Sequence, residues 1–428
     1  MNLLLGISFF FTLALGIPIA FVLGITALVA VIALPNVPLH LIPQRLFTGM
    51  DSFPIMAVPF FILAGNLMNA AKITDSIIEF SKLLVGRIRG GLGHVNIVAS
   101  MFFAGISGSA VADTSALGSI LIPAMEKERY SRAYSAAVTA SSSIIGPIIP
   151  PSIPMVVLAT IANLSVGGLF LAGVLPGVFI GFGLMAVNYV ISRKRNYQKI
   201  VEPIHWETFF KTLSGTIIPL LMPLIILGGI LGGIFTATEA ASVAVAYALL
   251  VGFFVMRTLS LKDLPNIFCR SMVLTSTILI VFAMANAFSW ILATQEIPQR
   301  VSQYILSISK NPYVILLLVN IFLLIVGCFL EGLAAIMITV PILMPLVAQV
   351  GINPMHFALI TVVNLMIGLI TPPMGLCLIV VCGVAKMKIG PLLKEIIPFL
   401  MVEIVILFVI TYVPWFTLTL PRLFGLTN

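Results

Sequence analysis

Gly105-Ile106-Ser107-Gly108-Ser109-Ala110 begins, and Ile145-Gly146-Pro147-Ile148-Ile149-Pro150-Pro151 ends, a stretch that the chain carries twice. Gly327 answers Gly105, and Ile342-Leu343-Met344-Pro345 answers Ile120-Leu121-Ile122-Pro123, each 222 positions later. Ile367-Gly368-Leu369-Ile370-Thr371-Pro372-Pro373 answers the closing run in the same register. One ungapped register over this length reads as an internal duplication, and the two copies as halves of one site.

The surroundings of both copies are apolar. Of 428 residues, 60% are hydrophobic and 8% charged, where a soluble protein carries roughly 25% charged residues. Apolar runs long enough for a bilayer core of about 30 Å recur from end to end. The chain is therefore expected to be an all-α polytopic membrane protein; a transmembrane barrel would show short alternating segments instead. The net charge of +8 sits in short loops, where it reports topology rather than a nucleic-acid partner. Cys269, Cys328, Cys377 and Cys382 have no metal-ligand spacing and read as packing residues. No cofactor is expected. The first apolar run lacks a basic leader and is too long for a cleaved signal, so it counts as a span.

Taken in order, the first span covers about 3–33, tilted and kinked at Gly16-Ile17-Pro18, and the second about 53–71. Within 74–89, Asp75, Glu79, Lys82 and Arg89 mark one helical face and Ile77, Phe80, Leu84 and Ile88 another, an amphipathic arm along the interface. Residues 92–126 are broken at Ser107 to Ala110 into halves of about 22 Å, too short to cross, so they form a re-entrant hairpin. Lys127, Glu128, Arg129 and Arg132 place its base in the cytoplasm, and so do Arg193, Lys194, Arg195 and Lys199 after the span 166–192. Between these lies a proline-broken span, 133–161.

A short interfacial segment at 203–212 and an extra span, 213–235, precede the second copy. That copy contains an arm at 296–310, a hairpin at 313–347 turning near Glu331-Gly332, a broken span at 355–384 and a last span near 396–420. In the arm, Arg300, Gln303, Ser307 and Lys310 share a face. The uncharged loop Ala348 to Asn353 puts the base of the second hairpin outside. Residues 1–212 and 236–428 are thus expected to be repeats of inverted topology. The N-terminus falls in the cytoplasm and the C-terminus in the periplasm.

Inverted repeats with broken helices facing each other at mid-membrane are the pattern of ion-coupled carriers. Unwound carbonyls replace part of a cation's hydration shell, and half-helix N-termini face an anion. Candidate groups are Ser107 and Ser109 at the first tip, Thr371 in the second break, Ser152 after the first, and Ser141 to Ser143. Asp113 and Glu331 are the acids within the hairpins, and intramembrane carboxylates are functional by default. Glu331 lies at its tip, whereas Asp113 could instead cap a helix or bond Thr114. Glu239 is expected to cap a span with Thr238.

Pro59-Phe60-Phe61-Ile62-Leu63-Ala64-Gly65, Gly105 to Asp113, Gly233-Ile234-Phe235-Thr236-Ala237-Thr238-Glu239-Ala240-Ala241 and Gly368 to Gly375 together resemble the large membrane subunit of TRAP transporters, the tripartite ATP-independent periplasmic carriers. The resemblance covers essentially the whole chain. It implies sodium-driven uptake of an organic acid, with sialic acid and C4-dicarboxylates the first classes to consider. It implies a small four-helix membrane subunit and a periplasmic substrate-binding protein as partners, a bacterial inner-membrane location in contact with lipid, and an elevator-type fold. Carried over, Ser107, Gly108 and Ser109 with Gly146 and Pro150 would hold one sodium. Gly327, Glu331 and Gly332 with Gly368 and Thr371 would hold another. Ser107, Ser109, Ser152, Glu331 and Thr371 would border the substrate. Cys328-Phe329-Leu330-Glu331 replaces the serine-rich tip in the second copy, so the two ion sites need not match. The alternative is a one-component sodium- or proton-coupled anion carrier without a binding protein. An enzyme reading of Gly105-Ile106-Ser107-Gly108 as a serine-protease motif lacks a well-placed histidine, with His94 far down the same hairpin.

Overall fold

A backbone in hydrocarbon has to satisfy its own N–H and C=O groups, and among the described residues this chain does so with helices and no strand. The computed structural model describes residues 2–34, 37–198 and 206–426, with the backbone alone for Asn2 and 206–214. Lys199, His205 and Asn428 lie outside these residues. The first half contains α1 (Asn2–Ala14), α2 (Ile19–Ala33), α3 (Leu41–Met50), α4 (Ala57–Ala70), α5 (Ile73–Val85), α6 (Gly91–Ser107), α7 (Ala110–Lys127), α8 (Arg132–Ser143), α9 (Ile153–Ala162) and α10 (Val166–Lys194). The second contains α11 (Trp206–Leu231), α12 (Ala237–Leu250), α13 (Leu264–Thr294), α14 (Ile297–Ile308), α15 (Pro312–Phe329), α16 (Gly332–Gln349), α17 (Pro354–Gly368), α18 (Leu376–Ala385), α19 (Ile389–Tyr412) and α20 (Trp415–Leu423).

Hydroxyl side chains set many of the starts. Ser109, Ser131, Ser152 and Ser165 each accept a hydrogen bond from the backbone N–H three residues on, satisfying a donor that the first helical turn leaves free. The duplicated register carries into the elements: α7 and α16 each have 18 residues and begin 222 positions apart. The α6–α7 and α15–α16 pairs, and the breaks between α8 and α9 and between α17 and α18, fall where the glycine and proline pattern puts them. The Pro150–Pro151 and Pro372–Pro373 peptide bonds are both cis.

The halves interlock. α8 lies against α6 and α7, and α17 against α15 and α16, while α18 packs on α7 and α9 on α16. Each α6–α7 or α15–α16 pair is thus braced by its own broken span and by the far part of the other one. A second group packs alongside, with α2 and α3 on α13 and α4 on α12.

Several expectations are corrected. The run 3–33 is not one tilted span. Gly16 turns the chain at φ +75°, a conformation open to glycine, and α1 doubles back on α2. Phe9 stacks on Phe288 at 5.9 Å, and Gly24 abuts Met284. Leu5 shares a core cluster with Ala27, Ala30, Val31, Ala287 and Ile291. Progress along α1 therefore opposes progress along α2. Residues 206–212 are not a separate interfacial segment but the first turns of α11. The last span bends by 55° between α19 and α20, and α3 meets the helix at Pro54–Ala70 at 61°. Glu239 caps α12 through Thr236, whose N–H and hydroxyl both donate to it at 2.8 Å. The Thr238 hydroxyl donates to the Phe53 carbonyl instead.

Candidate functional site

The first tip is built from a helix end, one glycine and a helix start. α6 ends at Ser107, Gly108 takes φ +60°, and Ser109 opens α7. A Cβ on Gly108 would lie 2.7 Å from the Pro151 carbonyl oxygen, so only glycine lets the tip rest on the first break. Ser107 donates its hydroxyl to Oδ1 of Asp113, one turn into α7. Asp113 is fully buried. Among the described residues its Oδ2 has no hydrogen-bond partner, and it lies against Gly146, where any side chain would collide with it. The two alternatives held open for Asp113 are both replaced. Ser109 caps the helix, and Thr114 bonds the Ala110 carbonyl and Ser143, the latter at 2.6 Å.

Behind this carboxylate the interior is polar. Asn96 donates to Thr139 at 2.7 Å and Ser100 to Ser142 at 2.8 Å. Ser142 and Ser143 thus hold α8 against α6 and α7, the close-packing role rather than a ligand role. Ser152 is buried and caps α9, with its hydroxyl donated to the Pro147 carbonyl. It therefore closes the break from inside.

The second hairpin meets the second break backbone to backbone, one turn before its tip. A Cβ on Gly327 would sit 3.0 Å from Gly368 Cα, so α15 and α17 cross in direct contact, as small residues allow in membranes. Glu331 stands 222 positions after Ser109 and does the same job, capping α16 by accepting from Leu333 and Ala334 N–H at 3.1 Å. Glu331 itself is exposed and Gly332 buried. Thr371 donates its proton to the Ile367 carbonyl at 2.8 Å, which leaves its oxygen lone pairs free.

An open path leads to the first tip. A cavity of about 110 Å³ is bounded by Ser107, Ser109 and Ala112 on one wall and by Gly65, Asn66 and Asn69 on the other. Asn69 and Ala112 also border a second cavity, of about 400 Å³, that follows α7 past Ser119 to Lys72 and Asp75. Asn66 is held by a 2.8 Å hydrogen bond to Ser271, and Asn69 accepts from Thr74. Of the proposed substrate-bordering residues, only Ser107 and Ser109 line this cavity. Neither asparagine was singled out from sequence; an amide within an otherwise apolar run was the signal available.

Residues 6–416 match the family described as "Tripartite ATP-independent periplasmic transporter, DctM component". The chain is 42% identical over 409 residues to the sialic acid TRAP transporter large permease SiaM of Vibrio cholerae, covering 96% of each. It is 37% identical to the C4-dicarboxylate TRAP transporter large permease DctM of Pseudomonas aeruginosa, covering 90% of each. It is 41% identical to the isethionate TRAP transporter permease DctMQ of Oleidesulfovibrio alaskensis, covering 94% of this chain and 63% of that one. In fold it is similar to the YdaH transporter of Alcanivorax borkumensis, with a TM-score of 0.68 at 14% identity over 94% of this chain and 98% of that one.

Proposed function

This chain belongs to the DctM family of tripartite ATP-independent periplasmic transporters, a transport rather than an enzyme family, and from that premise we propose that it carries out sodium-coupled uptake of an organic acid anion. The acid is of the sialic acid or C4-dicarboxylate class and is delivered by a periplasmic substrate-binding protein. A small four-helix membrane subunit completes the permease in the bacterial inner membrane. The observation that carries the coupling is Asp113. It is a fully buried carboxylate with one oxygen on Ser107 and the other unpartnered beside the carbonyl-rich break at Gly146. An anion in this position is costly unless a cation joins it. Sodium, as a co-transported substrate, matches the donor set of carboxylate, hydroxyl and carbonyl oxygens. In the second site Thr371 offers its lone pairs, and the Glu331 oxygen that does not cap α16 is available.

Transport follows from the two walls of the cavity. Ser107 and Ser109 belong to the interlocked body of α6–α10 and α15–α19; Asn66 and Asn69 belong to the group alongside it. Sliding the first against the second, braced by the arms α5 and α14, would carry the tips across the membrane. The basic ends of α7, α8 and α10 support a cytoplasmic side for the cavity along α7, and on this reading the state is cytoplasm-facing. Because α1 doubles back on α2, we place both termini on the periplasmic side, in place of a cytoplasmic N-terminus.

The test is uptake of radiolabelled N-acetylneuraminate and succinate into proteoliposomes holding this chain with its small partner. Uptake should need both an inward sodium gradient and the binding protein; uptake with sodium alone would return the one-component carrier. In the same assay Ser107→Ala and Thr371→Ala should each raise the sodium concentration for half-maximal uptake by about tenfold, the loss of roughly 1.4 kcal/mol of ion binding. Unchanged sodium dependence in both removes these hydroxyls from the ion sites.

A further inference from the structure

A cavity of about 470 Å³ lies between α3 and α13 on one side and the end of α9 and the middle of α16 on the other. It is separate from the path along α7: Thr160 and Ile161, which border it, are at the end of α9 remote from the first break. One wall carries Arg45, Ser52, Asn286, Ser289 and Trp290; the facing wall is mostly apolar, with Ile161, Met337 and Pro341. Arg45 is the single lysine or arginine of the stretch 34–51. Its guanidinium lies 5.1 Å from the centre of the Trp290 ring, a contact that holds the plane of the group and leaves its N–H edge for a ligand.

Three observations give this wall its chemistry. Among the described residues no carboxylate pairs with Arg45, although Arg132 and Arg195 each have one. Among the described residues no acidic side chain borders the cavity. The side chains of Ser52, Asn286 and Ser289 are engaged in no hydrogen bond among the described residues, whereas Thr48 and Thr160 donate to carbonyls of their own helices. Gly49 allows this arrangement, since a Cβ there would come within 2.7 Å of Asn286 Cβ. One fixed cation, an amide and two free hydroxyls on one wall of a half-enclosed cavity form a receptor for a planar anion.

We propose that this cavity is a second anion site, which receives the carboxylate of the transported acid on the face of the protein opposite the α7 path. The assignment of the ligand rests on the organic-acid reading above. The site spans the two groups of helices that slide in that reading. The Arg45 wall is on α3 and α13, and the apolar wall is on α9 and α16. An acid seated there is held while the first tip faces the cytoplasm, and movement of α9 and α16 past it displaces it toward the tip.

Trp290 is a built-in reporter. In a chain whose other tryptophans are replaced (Trp206→Phe, Trp415→Phe), purified in detergent without sodium, emission is titrated at constant ionic strength. The probes are potassium N-acetylneuraminate, potassium succinate and the neutral sugar N-acetylmannosamine. The expected result is a saturable change with at least one acid and none with the neutral sugar. Arg45→Gln should weaken the response tenfold or more, and Arg45→Lys less. Gel filtration and an unchanged thermal midpoint guard against misfolding of these variants, and Ser289→Ala, two to three times weaker, provides a second reading. Short-chain phosphatidylglycerol is titrated as a fourth probe, and the proposal is overturned by no saturable response to either acid, by a response indifferent to Arg45→Gln, or by one elicited only by phosphatidylglycerol, which would mark a lipid headgroup site. Proteoliposome uptake decides the transport reading independently, so failure of one is distinguishable from failure of the other.

Discussion

Asp113→Asn should lower sodium-driven uptake at least a hundredfold, about 2.7 kcal/mol, while leaving the protein folded. The asparagine is close to isosteric, so it fits the space between Ser107 and Gly146 that the carboxylate fills. It removes the charge that the proposed sodium ion would meet there. Stability separates this from a packing role. A ligand that binds the folded state alone stabilises it by about 2.7 kcal/mol at a hundred times its dissociation constant. The thermal midpoint of the unaltered chain in detergent should therefore rise when potassium is exchanged for sodium. Asp113→Asn should lose most of that rise, and in sodium-free buffer it should be no less stable than the parent, because a buried, half-unpartnered carboxylate is a burden without its cation. An undiminished sodium response in the variant would remove Asp113 from the ion site.

The second large effect is expected at Gly368→Ala. A Cβ there would lie 2.5, 2.6 and 2.8 Å from the Cα, C and O atoms of Gly327. Backbone cannot rotate away as a flexible side chain can, so α15 and α17 have to separate. Asn364 also donates to Asn320 across that contact at 2.7 Å, one turn from the glycine. Overpacking of this kind costs about 1–3 kcal/mol, and it falls on the contact between the second tip and the second break. Both a lower thermal midpoint and loss of uptake are expected. Gly327→Ala, whose Cβ would meet Gly368 Cα at 3.0 Å, should be milder. Gly390→Ala, with nothing within 4 Å, should be neutral. Equal effects from Gly368→Ala and Gly390→Ala would deny the contact its importance.

The positions of helices and breaks were legible in the sequence because their causes are local. Proline removes a donor, glycine reaches φ values closed to other residues, and an apolar run either has or lacks the length to cross. Residues 92–126 and 313–347 are short-armed pairs, and 133–161 and 355–384 are broken, for reasons contained within each segment. The candidate groups at the tips were found the same way, since polar side chains stand out in apolar runs.

Tertiary structure decided what those groups do. Asp113 and Glu331 look alike in sequence, as the acids at or near the tips of paired hairpins. One is enclosed by Ser107 and Gly146, while the other caps its own helix. Ser152 and Ser142 carry the hydroxyls of a site and spend them on the break and on α6. The doubling back of α1, the cavity wall at Asn66 and Asn69, and the seat of Arg45 on Trp290 each bring together segments far apart in the chain. Such contacts follow from how whole helices pack, and no pattern within one apolar segment specifies which face of another it will meet.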